Sequence, residues 1–309
     1  MPMQQGDRQI MLARILTAVV GIPLAVFLIL FPGGLPFAVA IGVVSVAGAV
    51  EFYKGVRRIG ARPVEWAGLA AVVFFVVSAT TFRYSNGATV GAIFPTVLTL
   101  LLIASFCVEM LRTERAPILN VGTTVFGAIY VGWLISHLVV LRGVVLGPIP
   151  SNSILHTPPP PPTVQVGPYH PEVGACLVML AFVSTWACDT CAYFFGRAFG
   201  RTKIAPKLSP NKTVEGAIAG LVGTIVVAVL AGWVIKLAWY HGLALGLIFG
   251  VLSQLGDLSE SSIKRELDIK DFGTIVPGHG GILDRFDSLL FTGPAAYYYA
   301  VLFLQHWLK

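Results

Sequence analysis

Charge is what this chain has least of. Only 12% of its 309 residues are Asp, Glu, Lys or Arg, against roughly 25% in an ordinary soluble domain. Several site signatures are also missing: no Gly-x-x-x-x-Gly-Lys-[Ser/Thr] loop, no His-Glu-x-x-His and no local Ser-His-Asp arrangement. A P-loop nucleotidase, a zincin and a triad hydrolase therefore have no support in the sequence. There are 4 cysteines, Cys107, Cys176, Cys188 and Cys191. Cys188-x-x-Cys191 has no second pair to complete a zinc site and no thioredoxin-like surroundings, which leaves small apolar packing residues as its reading. No internal repeat of about 20 to 50 residues is visible. No small-residue cleavage site follows the first apolar run, and no Ser-rich amphipathic leader precedes it. That run reads as a retained span.

What the chain has in quantity is apolar length. Hydrophobic residues make up 56% of it, in runs of roughly 17 to 25 residues, each able to cross a bilayer as a helix. The runs lie near 12–31, 35–53, 66–82, 88–108, 119–141, 174–196, 214–237, 240–259 and 288–308. The expectation is an all-α polytopic integral membrane protein of about nine transmembrane helices. Of the 21 cations, 17 fall in the N-terminal segment and in the loops after the second, fourth, sixth and eighth spans. That bias puts those segments in the cytoplasm and the C-terminus outside. The net charge of +6 is this anchoring charge, and nothing in it calls for nucleic acid. Three regions follow: 1–146 with about five spans, an external loop 147–172, and 173–309 with about four spans. The loop holds nine prolines and reads as an extended polyproline II connector. Gly216 to Gly220 and Gly242 to Gly246 are spaced for close helix packing.

The remaining charge is concentrated. Seven of the 15 acids lie between positions 257 and 287. Asp257 follows Val-Leu-Ser-Gln-Leu-Gly, still inside apolar sequence, where a carboxylate is costly unless paired or metal-bound. Helical spacing sets Asp257, Ser261, Lys264 and Arg265 along one face. Asp284 opens the ninth span, and Asp287 lies a turn further in. Carboxylates from two helix ends, among cations, suit a divalent metal and the phosphates it carries. Pro277-Gly278-His279-Gly280-Gly281 precedes a helix start and exposes backbone N–H groups, an anion site. In Lys207-Leu-Ser-Pro-Asn-Lys-Thr-Val-Glu-Gly216, Ser209 reads as an N-cap with Pro210 at the first helical position. Lys212 and Thr213 then fall in the first turn, where a phosphate could be held. Asp189 shares a face with Tyr193, four residues on. Its readings are a packing hydrogen bond to that tyrosine or membership of the site.

These residues match a known pattern. Ser-x-Ile-Lys-Arg at 261–265, Lys-Asp-x-Gly at 270–273 and Pro-x-His-Gly-Gly-x-x-Asp-Arg-x-Asp at 277–287 resemble the signature of the phosphatidate cytidylyltransferases. Asp-x-x-Ala-Tyr-Phe-x-Gly-Arg-x-Phe-Gly at 189–200 and Ser-Pro-Asn-Lys-Thr-x-Glu-Gly at 209–216 resemble the same family. The likeness runs from about 174 to the end, with only hydropathy matching before that.

The resemblance implies that CTP and phosphatidate become CDP-diacylglycerol and pyrophosphate, on a helical, multi-pass cell-membrane enzyme whose site faces the cytoplasm. It implies magnesium, leaves room for a second monovalent or divalent cation, and implies a homodimer. On this reading Asp257 and Asp284 hold the metal, and Asp287 and Asp189 complete or support its shell. Lys264, Arg265, Lys270 and Arg285 neutralise phosphates. The turn Gly278, His279, Gly280 and Gly281, with Lys212, orients them, His279 as a phosphate donor or as a loop hydrogen bond. Ser209, Thr213 and Asp271 join the substrate-binding set. A CDP-alcohol phosphatidyltransferase would show Asp-Gly-x-x-Ala-Arg, which is absent. An ion-coupled transporter would show paired polar breaks in two halves, whereas the charge here is lopsided.

Overall fold

The computed structural model describes residues 19–81, 87–144, 146, 162–275 and 280–304, with backbone alone at 87–91. Almost every element is a helix, because the apolar runs leave no other way to satisfy the backbone in a bilayer. In chain order they are α1 (Val19–Leu30), α2 (Leu35–Val56), α3 (Glu65–Thr81), α4 (Gly87–Met110) and α5 (Pro117–Gly127). A π-helical stretch, Ala128–Trp133, joins α5 to α6 (Leu134–Arg142). Then come α7 (Val173–Phe199), α8 (Val214–Val234), α9 (Trp239–Glu266), the short α10 (Leu283–Phe286) and α11 (Leu289–Phe303).

Each predicted run coincides with an apolar helix, the first of them beginning before the described residues. Six helical stretches among the described residues are long and apolar enough to cross a membrane, and three more are apolar but shorter. The chain is a multi-pass membrane protein. On α8 the exposed stripe Ile218, Val222, Val226 and Leu230 recurs every four residues, a lipid-facing ridge. Its opposite faces are lined with small residues. A Cβ on Gly220 would stand 3.0 Å from the Cys188 carbonyl of α7. From α9, a Cβ on Gly246 would stand 2.6 Å from the Ile225 Cα. Glycine at these points lets α7, α8 and α9 approach backbone to backbone. Cys188 is buried in that seam, and all four cysteines are free, in keeping with packing.

Three expectations are corrected. A small antiparallel hairpin, β1 (Lys203–Ala205) and β2 (Ser209–Thr213), pairs Lys203 with Thr213 and Ala205 with Ser209. The chain is thus not wholly helical, and Ser209 is not an N-cap. Thr213 caps α8 instead, its hydroxyl accepting from Gly216 N at 3.2 Å, while Glu215 accepts the Arg201 and Thr202 N–H groups. Ser-Pro-Asn-Lys-Thr carries two cap-competent residues, and the strand pairing selects the second. The described end of the Pro-rich loop is also folded back rather than extended. Val164 N donates to Pro171 O at 3.0 Å and Val166 N to Tyr169 O at 2.8 Å. Residues 147–161 lie outside the described set.

This folded-back segment ends at Glu172, which bridges to Thr163 and is half of a buried clamp. Arg142 donates through Nε to Ile29 O at 2.7 Å, through Nη2 to Phe31 O at 2.8 Å and through Nη1 to Glu172 Oε2 at 2.5 Å. Glu172 Oε1 accepts from Gly33 N at 2.9 Å. The α1–α2 corner, the end of α6 and the start of α7 are thereby locked together.

Candidate functional site

At the other end of α2 the buried polar residues are acidic. Helix α9 runs past its last apolar turns with Asp257, Glu260, Ser261 and Lys264 on successive turns of one side. Glu260 is 1% exposed. Lys264 Nζ bridges Glu260 Oε2 at 2.9 Å and Asp284 Oδ1 at 2.8 Å, tying α9 to α10. Asp257 takes a separate counter-ion, Lys212 of β2, with Nζ 2.5 Å from Oδ2. That contact is close but not aligned as a hydrogen bond. Ser261 Oγ lies 3.5 Å from Asp257 Oδ1.

The glycine turn is held from within. Asp284 Oδ2 accepts from Gly281 N at 2.8 Å and from Phe272 N at 2.9 Å. The next two N–H groups, of Ile282 and Leu283, donate to Glu51 of α2 at 3.1 and 3.0 Å. Of the turn expected to be open to an anion, the Gly281 N–H is therefore taken by the protein's own Asp284 carboxylate, the two N–H groups after it are taken by Glu51, and α10 is only one turn long. A Cβ on Gly281 would stand 2.6 Å from Glu51 Oε2 and push aside the carboxylate that holds the turn. Gly280, at φ 87°, sits beside Asp284 and Asp271 in the left-handed region that favours glycine. Gly278 and His279 lie outside the described residues.

Burial alone would raise the Asp284 carboxyl. The Lys264 ammonium and the Gly281 N–H outweigh it and hold Asp284 below the ordinary carboxylate range. Asp287 goes the other way, pushed up to about 6 by burial and by the neighbouring charge of Asp257, despite the Ser288 N–H. Asp189, exposed on α7, interacts with Asp287 and Asp257 and is offset by Lys212 and Arg285. Its predicted partner Tyr193 instead accepts from Arg197 at 3.1 Å.

Of the predicted residues, Asp189, Lys212, Asp257, Lys264, Asp284, Arg285 and Asp287 thus share one electrostatic neighbourhood. Arg265 turns away, to Leu208 O and Ile269 O at 3.1 Å each, so it braces the β-hairpin. Lys270 and Asp271 are exposed. Ser209 and Thr213 are strand and cap residues. Asp257 and Asp284 sit in different ion pairs, and Asp287 is the acid that Asp257 confronts. Among the described residues no group of three or more His, Cys, Asp or Glu stands ready-made around a metal position.

Five carboxylates, of Asp189, Asp257, Glu260, Asp284 and Asp287, interact here with three cations, Lys212, Lys264 and Arg285. With all ionised, two negative charges are left over, a hard-oxygen donor set that fits one divalent cation. Glu51 and Glu260 were missed in the sequence. Each looks like ordinary charge at a helix end: Glu51 finds its partners 231 and 232 residues away, and Glu260 is tied to Asp284 only through Lys264.

Comparison with known proteins adds the chemistry's lineage. Residues 12–303 match the model of the cytidylyltransferase family. The chain is 38% identical over 296 residues to a phosphatidate cytidylyltransferase of Synechocystis sp., covering 94% of this chain and 97% of that one. It is 32% identical to the Bacillus subtilis phosphatidate cytidylyltransferase, with the same coverages. It is 35% identical to the chloroplastic phosphatidate cytidylyltransferase 5 of Arabidopsis thaliana, over 90% of this chain and 69% of that one.

Proposed function

The chain belongs to the cytidylyltransferase family, and we infer from that premise that it is a nucleotidyltransferase acting on CTP and phosphatidate in the membrane. A phosphate oxygen of the lipid attacks the α-phosphorus of CTP. The bond from that phosphorus to the bridging oxygen breaks, and pyrophosphate leaves with the electron pair. Charge is conserved without a protein nucleophile, which agrees with the missing Ser and Cys motifs. Catalysis is then positioning and charge neutralisation.

The observation that carries the site reading is the excess of carboxylates over cations around Asp287. Asp257, Asp284 and Asp287 would hold magnesium, with Asp189 at the edge of the set. Magnesium bound there would neutralise the α- and β-phosphates and the pyrophosphate as it forms. Lys212 and Lys264 now sit on Asp257 and Asp284, and both are long enough to swing from carboxylate to phosphate. Arg285 and Lys270 are exposed at the aqueous end, where the triphosphate arrives. Glu51 fixes the turn that carries Asp284. The same reading includes nine spans, a cytoplasmic N-terminus and site, and a homodimer. The cation bias supports the topology, and the family likeness supports the pairing.

The test is purified protein in detergent with labelled CTP and phosphatidate, with and without magnesium, beside Asp257→Asn. Metal-dependent CDP-diacylglycerol from the parent and at least a 100-fold loss in the folded variant would support both activity and site. An active Asp257→Asn would sink the metal assignment. A monodisperse parent that makes no product would sink the activity.

A further inference from the structure

Two large buried tyrosines come from the N-terminal half of the molecule, and they differ in one respect. Tyr53, on α2, donates its hydroxyl to Thr124 O at 2.8 Å, so that group is spent on the fold. Tyr130 is 5% exposed, yet its hydroxyl is buried with no hydrogen-bond partner among the described residues. Buried hydroxyls are rarely left so, since the loss of water is uncompensated. An unsatisfied serine can rotate onto its own helix, but a phenol cannot reach its own backbone.

The surroundings show where this hydroxyl points. Its electrostatic neighbours are, in order of strength, Glu260, Asp287 and Asp257, the heart of the site described above. Glu260 Oε1 is itself buried and has no hydrogen-bond partner among the described residues. The tyrosine stands on the π-helical stretch Ala128–Trp133, a distortion that re-aims side chains and recurs at functional sites. Val131, the next residue, packs near Gly48 of α2, which also neighbours Leu283. The π stretch thus lies against the segment carrying Asp284.

We propose that the Tyr130 hydroxyl is a substrate-contacting group that donates a hydrogen bond to the phosphomonoester of the lipid acceptor. This rests on the function proposed above. The lipid is favoured over the nucleotide by position. Tyr130 is thirteen residues into the helical stretch that begins at Pro117, about 20 Å from that end. Asp257 is nine residues from the end of α9, about 14 Å in. Tyr130 therefore lies on the deep side of the cluster, while the exposed cations Arg285 and Lys270 lie on the aqueous side. Its ring stacks on Phe126 at 5.2 Å and 13°, and Phe126 is 46% exposed on a spanning helix. An apolar path leads from the bilayer to the acids along those two rings. A lipid phosphate brought in beside Glu260 needs donors against that carboxylate, and Lys264 and Tyr130 are the two at hand.

The test is Tyr130→Phe in the full-length protein, with Tyr53→Phe as control, measuring kcat and KM for each substrate and thermal melting. The expected result for Tyr130→Phe is a fall of about 10- to 100-fold in kcat/KM for phosphatidate, as for loss of a hydrogen bond to a charged group. KM for CTP should stay within about twofold, and the melting temperature should hold or rise, because an unsatisfied polar atom has been removed. Tyr53→Phe should melt lower and keep its kcat/KM. Unchanged kinetics in Tyr130→Phe overturn the proposal. So does a melting temperature that falls in step with activity, which would make Tyr130 a structural partner of Glu260. A rise in KM for CTP alone overturns the lipid assignment. If the parent itself forms no CDP-diacylglycerol, the functional premise falls, and this proposal falls with it.

Discussion

The two ends of helix α2 carry two ways of burying charge. At its start, Arg142 has an acceptor for each of its three side-chain nitrogens, and both oxygens of Glu172 are in use. At its far end, five acids face three cations, the Lys212–Asp257 pair is close but unaligned, and Tyr130 and Glu260 each leave a polar atom without a partner among the described residues. The first cluster is closed and asks nothing of a ligand. The second leaves polar atoms unpaired among the described residues, which is where the proposed function places its substrates and metal. Burial of charge does not separate structure from function in this molecule, but satisfaction of that charge does.

The comparison can be broken at either end. The largest effect is expected from Asp257→Asn, a loss of at least 100-fold in activity. Its melting temperature should not fall, since the substitution removes repulsion against Asp287. A marked fall would place Asp257 with the structural ions. Next is Glu172→Gln, which strands a buried guanidinium and should cost about 3 to 5 kcal/mol. The activity of the remaining folded protein should be untouched. A stable Glu172→Gln protein would show that the clamp is not what holds the α1–α2 corner.

Glu51 belongs to both regimes, a satisfied carboxylate serving the unsatisfied site. Glu51→Gln keeps one acceptor oxygen but turns an amide N–H₂ towards the other of the two N–H donors, so about 1 to 3 kcal/mol of stability should go. A roughly tenfold drop in kcat should accompany it if the turn shifts. Unchanged kcat in a destabilised protein would limit Glu51 to folding.

The smallest effect is on pH dependence. Asp287, held at about 6 by burial and Asp257, binds its proton more tightly folded than unfolded. Without magnesium, stability should therefore rise as pH falls from 7 through 6 towards the usual carboxylate range. Over the same window the magnesium needed for half-maximal activity should increase, because proton and metal compete for that carboxylate. A metal requirement flat between pH 5 and 7 would remove Asp287 from the metal shell. Asp284, already below the ordinary range, should contribute nothing to this window.

Much of this was legible in the chain itself. Apolar length and the absence of charge specify a bundle of membrane helices with no solved coordinates needed, and the lopsided acids mark where its polar site lies. The Gly216, Gly220, Gly242 and Gly246 spacings announce the α7–α8–α9 contacts. What could not be read has one cause. Of the turn 277–281 expected to bind an anion, Gly281 gives its N–H to Asp284. The next two N–H groups go to Glu51, 232 residues before Leu283, and an isolated glutamate beside Lys54 and Arg57 has no local mark to separate it from anchoring charge. Ser209 and Thr213 are equally good caps in isolation, and the pairing of β2 with β1 decides between them. The sequence by itself determined the solvent, the helices and the segment in which the acids gather, because those follow from hydropathy and local spacing. Tertiary structure alone decided which buried charges are neutralised and which are left waiting, because that depends on distances between helices the chain brings together only by folding.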